Sequence, residues 1–200
     1  MPAIKLADSS FRALGILPLA FFLAQAVHYW RINELGHMLW LCNIGNLLLA
    51  IGLFLNHALL IRVAVIWSVP GLVLWVIYVV LPWGVFLSSA VIHLGSIIVG
   101  LIAIRRVRMD RMAWAYAFLW YLGVQLLSRF ITATELNVNM SQAIEPGWQH
   151  VFDAYWKFWS IGTALTAFIL WFIGLSLRKV WPAATESKST LGFGSKSRTL

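Results

Sequence analysis

Between residues 11 and 177 the chain is built from six long apolar stretches, at 11–30, 37–56, 60–81, 85–104, 113–133 and 155–177. Each is close to the ~20 residues that a helix needs to cross ~30 Å of hydrocarbon. Lipid offers no hydrogen bonds to a backbone, so spanning segments are restricted to helices and closed barrels. The pattern predicts an all-α polytopic membrane protein: a bundle of six transmembrane helices within residues 1–180, followed by a basic, flexible cytoplasmic tail over 181–200. Hydrophobic residues make up 61% of the chain and charged residues 11%, whereas soluble domains carry about 45–50% and about 25%. The first stretch is about twenty residues long, includes Gln25 and lacks a small-x-small cleavage site. It is therefore expected to stay as a helix rather than be removed as a signal peptide.

The basic residues sort between alternate loops. Lys5, Arg12, Arg62, Arg105, Arg106, Arg108, Arg111, Arg178, Lys179, Lys188, Lys196 and Arg198 fall on one side, and only Arg31, Arg129 and Lys157 on the other. By the positive-inside rule, both termini are expected in the cytoplasm. The net charge of +8 is thus topology charge, and no nucleic-acid partner is expected. The expected location is a bacterial inner (cytoplasmic) membrane, with membrane lipids as neighbours. The opposite side carries Glu34, Glu135, Glu145 and Asp153. Several of the twelve Trp residues, Trp30, Trp40, Trp83, Trp114 and Trp181 among them, lie near span ends, where aromatic rings favour the headgroup level. Pro18 and Pro70 fall inside the first and third stretches and are expected to kink them. Residues 134–154 form the one long outer loop, and their Trp and Phe suggest a cap packed onto the bundle.

Polar residues inside a membrane segment are costly and mark function more often than surface residues do. Here they collect in the outer half. The second stretch carries Cys42, Asn43 and Asn46, with Cys42 and Asn46 four apart on one helix face. The fourth carries Ser89, His93 and Ser96 on one stripe. A thiolate is a strong nucleophile, and a neighbouring imidazole can take its proton and return it to a leaving group. Asn43, Asn46 or Arg129 are candidate donors to an oxyanion. The same residues also have structural readings. Cysteine in an apolar helix packs as a small hydrophobe, asparagines bridge helices, and arginines near span ends snorkel.

The segments LWLCNIGNLLLAIGLFL, WSVPGLVLWVIYVV and FLSSAVIHLGSIIVGL, followed by FITATELNVNM, resemble the YwaF-type integral membrane family related to cysteine-dependent intramembrane phospholipid acyltransferases. The resemblance covers roughly residues 37–145. It implies a six-helix core, Cys42 as the acyl-accepting nucleophile, His93 as its base and Asn137 in the Asn-rich segment that supports the site. It also implies movement of fatty acyl chains between lipids, or hydrolysis of lipid esters. The chain departs from the family's pattern at Trp40, where a His is expected, and at Asn43, where an Asp is expected. Asn137-Val138 and Asn139-Met140 stand where an Asn-aromatic pair is expected.

Two other classes of function are compatible with the sequence. One is a non-catalytic accessory subunit of a larger respiratory or photosynthetic membrane complex, binding lipid, quinone or pigment, with the Trp residues, the loop and the tail as contact surfaces. No cofactor is predicted. A haem or chlorophyll-type ligand would fall to His28, His57 or His93, but no CxxCH motif or paired His spacing supports one. A transporter ranks last, because no carboxylate lies inside any of the six stretches and no inverted repeat is evident. The lone Cys42 excludes an intrachain disulfide.

Overall fold

The computed structural model describes residues 9–80 and 87–183. Six long α-helices carry the described fold: α1 (Ile16–Arg31), α2 (Leu41–Phe54), α3 (Ala58–Val80), α4 (Leu87–Val107), α5 (Ala113–Ile131) and α6 (Tyr155–Val180). Four helical segments are long and apolar enough to cross a membrane: Ser9–Arg31, Ala58–Ile77, Leu87–Val107 and Tyr155–Val180. The protein is therefore all-helical, with a membrane-type exterior. Its exposed side chains include Val73, Leu74, Val76 and Ile77 on α3 and Ile161, Leu165, Phe168 and Phe172 on α6. Water would not tolerate so continuous an apolar surface, but lipid does.

The helix α3 is central. It packs on α2, α4, α5 and α6, while α1 closes against α2 and α4. Apart from Arg62 and Ser68, its first half is apolar, as the enclosed part of a helix must be. Ile61, Val63, Val65 and Ile66 are completely buried there. They meet Leu49, Leu53, Ala103, Ile104, Met109 and Ala117 in one core. Trp67 donates its indole N–H to the Ala117 carbonyl at 3.1 Å, which ties α3 to α5. Gly52 makes the α2–α3 turn tight, because a Cβ there would stand 3.0 Å from the Ile61 nitrogen.

The two ends of the molecule are built differently. At the basic end, Arg62 pairs with Asp110 and donates to the carbonyls of Arg108 at 2.7 Å and Val107 at 3.2 Å. The chain leaving α6 is fastened to the α4–α5 turn there. Met109 N–H donates to the Trp181 carbonyl at 2.7 Å, and Ala183 N–H donates to the Met109 carbonyl at 3.0 Å. At the opposite end, the first part of the 134–154 loop folds down onto the bundle, while Trp148, expected to help pack it, stays 51% exposed. Two short 3-10 turns, Thr134–Leu136 and Val138–Met140, bring Asn139 onto the start of α2. Asn139 accepts from Leu41 N–H at 3.3 Å and donates to the Leu39 carbonyl at 2.8 Å and to Ser128 Oγ at 3.1 Å. Below it, Gln125 Nε2 donates to the Asn139 carbonyl at 3.1 Å, and Trp159 donates to Gln125 Oε1 at 3.0 Å.

Two expectations change. The stretch 37–56 is helical only over Leu41–Phe54, because Leu35–Leu39 forms a 3-10 turn and Trp40 adopts an extended conformation (φ −54°, ψ 137°). At 14 residues, α2 is about 21 Å long, shorter than a hydrocarbon layer, and the folded-down loop occupies the level it leaves vacant. Pro18 does not kink the middle of a helix. The turn falls at Leu14 and Gly15, so Pro18 sits in the first turn of α1, where a missing N–H costs nothing. Pro70 does lie inside α3. Of the expected tail over 181–200, residues 184–200 lie outside the described residues, as do Lys5 and the segment 81–86.

Candidate functional site

Cys42 is the second residue of α2, and His93 lies one and a half turns into α4. The two helices bring these side chains to one narrow cavity, lined also by Leu41, Gly45, Asn46, Ser68 and Ser96. Its free volume of about 10 Å³ is at the lower limit for one water molecule. Gly71 of α3 is close to both: a Cβ built on it would stand 3.8 Å from Cys42 Cβ and 3.8 Å from His93 Nδ1. Those two atoms are therefore separated by no more than the sum of the two distances. No hydrogen bond joins Cys42 to His93; such contacts are often long before a substrate is bound.

Polar groups hold this arrangement from below and from the side. Asn46 Nδ2 donates to the Cys42 carbonyl at 2.9 Å, and Asn46 Oδ1 accepts from Ser96 Oγ at 2.8 Å. Ser96 also contacts the Ile92 carbonyl of its own helix. Asn46 is 2% exposed and Ser96 5%, so this bridge lies in the interior and locks the register of α2 against α4. Trp75 of α3 stacks on the His93 ring (centroids 5.6 Å apart, planes 24° apart). The same indole donates to Ser89 Oγ at 2.9 Å. All three members of the Ser89–His93–Ser96 stripe are thus engaged with other helices.

The other expected site residues stand elsewhere. Asn43 is buried but does not line the cavity. It donates to the His37 carbonyl at 2.8 Å, and its Oδ1 has no partner. Arg129 donates to the Ser141 carbonyl at 2.9 Å and covers the Tyr155 ring. Asn137 accepts from Gln142 N–H at 3.1 Å and Ala143 N–H at 3.0 Å and donates to Glu145 at 3.0 Å. Arg129 and Asn137 are thus engaged within the outer loop, and neither is among the residues that line the cavity. His28 packs edge-on against Tyr29. His57 caps the start of α3, accepting from Leu60 N–H at 3.4 Å. Neither faces His93, and no group of three or more His, Cys, Asp or Glu gathers among the described residues.

Sequence reasoning missed Gly71, Ser68 and Trp75, all on the third stretch. The signal was their spacing: Ala64, Ser68, Gly71 and Trp75 recur at helical intervals on one face. Ahead of α2, His37 is held within its own turn. Its Nδ1 accepts from the Trp40 indole at 3.0 Å, and its Nε2 lies 3.3 Å from Glu34. Burial holds the His37 imidazole below its ordinary pKa, with Glu34 opposing. No family model, curated protein or solved structure matches the chain.

Proposed function

We propose that this protein is an integral membrane acyl-transfer enzyme that acts on lipid esters through Cys42 and His93. In this reading all six helices cross the bilayer and both termini lie on the basic, cytoplasmic side, with the 132–154 loop facing outward. The positive-inside distribution of the arginines supports that orientation. The membrane is a cytoplasmic one, and its lipids are the substrates.

The observation that carries the reading is the shared cavity. A thiol and an imidazole from separate helices line it together, and Asn46 and Ser96 fix the two helices in register. The chemistry then follows in two balanced steps. His93 takes the Cys42 proton as the sulfur attacks the ester carbonyl. The C–O bond breaks, the proton passes from His93 to the departing alkoxide, and a thioester remains on Cys42. An acceptor hydroxyl, or water, then attacks the thioester while His93 takes its proton. The thiolate leaves and is protonated again. The cavity has room for about one water molecule, so in this reading the site widens to admit the ester and the alkyl chain stays in the bilayer.

The test uses the full chain in vesicles with a phospholipid bearing an isotope-labelled acyl chain. A hydroxylamine-sensitive label on Cys42 and label transfer to a second lipid or to free fatty acid are expected. Cys42→Ala should lose both, and His93→Gln should slow both by two or more orders of magnitude, within the range of general-base catalysis at about 10²–10⁴. Wild-type rates from a folded Cys42→Ala variant would overturn the proposal.

A further inference from the structure

The basic end of the molecule carries an open groove of about 300 Å³, lined by Leu175, Arg178, Lys179 and Pro182. Pro182 is held from both sides. Trp181 before it accepts from Met109 N–H at 2.7 Å, and Ala183 after it donates to the Met109 carbonyl at 3.0 Å. The turn that holds it is itself anchored, because Arg62 donates to the Val107 and Arg108 carbonyls and pairs with Asp110. Orientation in a bilayer needs only an excess of cations on one side. It does not call for a fixed wall beside two of them.

Charge and apolar surface also divide along one face of α6. Phe168, Phe172, Leu175 and Lys179 are spaced at helical intervals and share a stripe. Phe168 and Phe172 are exposed, and Leu175 and Lys179 continue the stripe into the groove. Among the described residues this end holds a single carboxylate, Asp110, and Arg62 takes it. Arg108 and Arg111, on either side of Asp110, are exposed, so the field at this end is positive. The chain beyond the groove carries Lys188, Lys196 and Arg198 against Glu186, which makes that segment a poor occupant of a cationic site.

We propose that the groove binds one anionic phospholipid, with its phosphate at Arg178 and Lys179 and an acyl chain along Leu175, Phe172 and Phe168. A phosphate accepts charge-assisted hydrogen bonds from guanidinium and ammonium groups, and the apolar stripe covers the methylenes below it. Binding there does not depend on acyl transfer at Cys42, which lies at the start of α2, at the loop end of the molecule.

The experiment uses the full chain in phosphatidylcholine vesicles with a trace of phosphatidylglycerol bearing a photoreactive headgroup, followed by peptide mapping. Labelling should concentrate within residues 175–182. Unlabelled phosphatidylglycerol should displace it, and added phosphatidylcholine or inorganic phosphate should not. Arg178→Gln with Lys179→Gln should lower labelling about tenfold or more, the scale of two cations meeting an anionic headgroup. Arg105→Gln with Arg111→Gln is the control, since it removes the same charge from exposed positions at the same end that do not line the groove. It should lower labelling less than about twofold at about 0.15 M salt, where exposed charges are screened beyond about 8 Å. Arg178→Lys with Lys179→Arg should keep most of the labelling. Equal loss in the two Gln variants would mean that these cations set orientation only, and would overturn the proposal. Displacement by inorganic phosphate as effective as by the lipid would overturn it as well. So would absence of labelling at 175–182 in wild type, whether residues 184–200 fill the groove or nothing does.

Discussion

Replacing Asn139 with alanine is expected to be the most damaging single polar substitution at the loop end of the molecule. Asn139 is 3% exposed, and its side chain makes three hydrogen bonds: to Leu41 N–H, the Leu39 carbonyl and Ser128 Oγ. Leu41 is the first residue of α2, and Trp40 supplies no side-chain cap. Its amide is therefore one of the helix-end donors with no partner inside the helix. Each lost hydrogen bond costs a net ~0.5–1.5 kcal/mol, and a donor or acceptor left buried and unpaired costs about 1–3 kcal/mol. The backbone adds to this. Asn139 has φ 55° and ψ 26°, a left-handed conformation that costs alanine roughly 1–2 kcal/mol. The total loss should be about 3–5 kcal/mol, allowing for partial relaxation and solvation of the freed groups. Asn139→Gly should recover about 1 kcal/mol of that, because glycine adopts the same backbone without strain. Asn46→Leu is the contrast: the Cys42 carbonyl keeps its own helical donor and Ser96 keeps Ile92. It should cost only about 0.6–1.7 kcal/mol, the scale of one interhelical bond in a bilayer. Denaturant unfolding in detergent micelles, with hydrogen exchange at Leu41 to Ile44, reads all three. An Asn139→Ala variant within about 1 kcal/mol of wild type would refute this account of the loop as a cap on α2.

Other outcomes follow from the same geometry. His37 is held neutral by burial in the folded chain, so the unfolded chain binds its proton more readily. Stability from the Leu35–Leu39 turn should be complete above the ordinary histidine pKa of about 6.5 and decline as pH falls below it. Trp40 fluorescence between pH 7.5 and 5 should follow that change in wild type and not in His37→Phe; an identical response in both would exclude His37 as the source. A Cβ on Gly95 would lie 2.3 Å from Phe21 Cε2, so Gly95→Ala should cost about 1–3 kcal/mol by overpacking α1 against α4. Phe21→Leu added to Gly95→Ala should restore part of the lost Tm, and no recovery would show that the strain lies elsewhere.

The helical class and the approximate position of every span were legible, because apolar runs of about twenty residues leave few alternatives. The start of α2 was not. Nothing in GHMLWLCN separates a helix beginning at His37 from one beginning at Leu41, and the decision comes from Asn139, nearly a hundred residues away. The similar depth of Cys42, Asn46, His93 and Ser96 was also legible; their meeting at one cavity was not, because it depends on how α2 and α4 are turned toward each other. The hydrogen-bond partners of Arg129, Asn137 and Asn43 were not legible, for one physical reason. Polar residues near a span end can turn inward to a site or outward to a loop, and spacing alone does not separate the two. Here the loop backbone offered the carbonyls of Ser141 and Ala143, and the side chains took them.

The bond between Leu41 and Asn139 also sets a timetable for biosynthesis. A ribosome adding roughly 5–20 residues per second makes Leu41 about 5–20 s before Asn139, given their separation of 98 residues. Throughout that interval the first turn of α2 has no lid, and the thiol two residues beyond Trp40 is open to whatever the translocation machinery or the surrounding lipid presents. The start of α2 reaches its finished form only when the fifth helix is in place and the loop behind it closes. A nascent chain arrested before residue 139 should therefore react with thiol reagents more quickly than the completed protein.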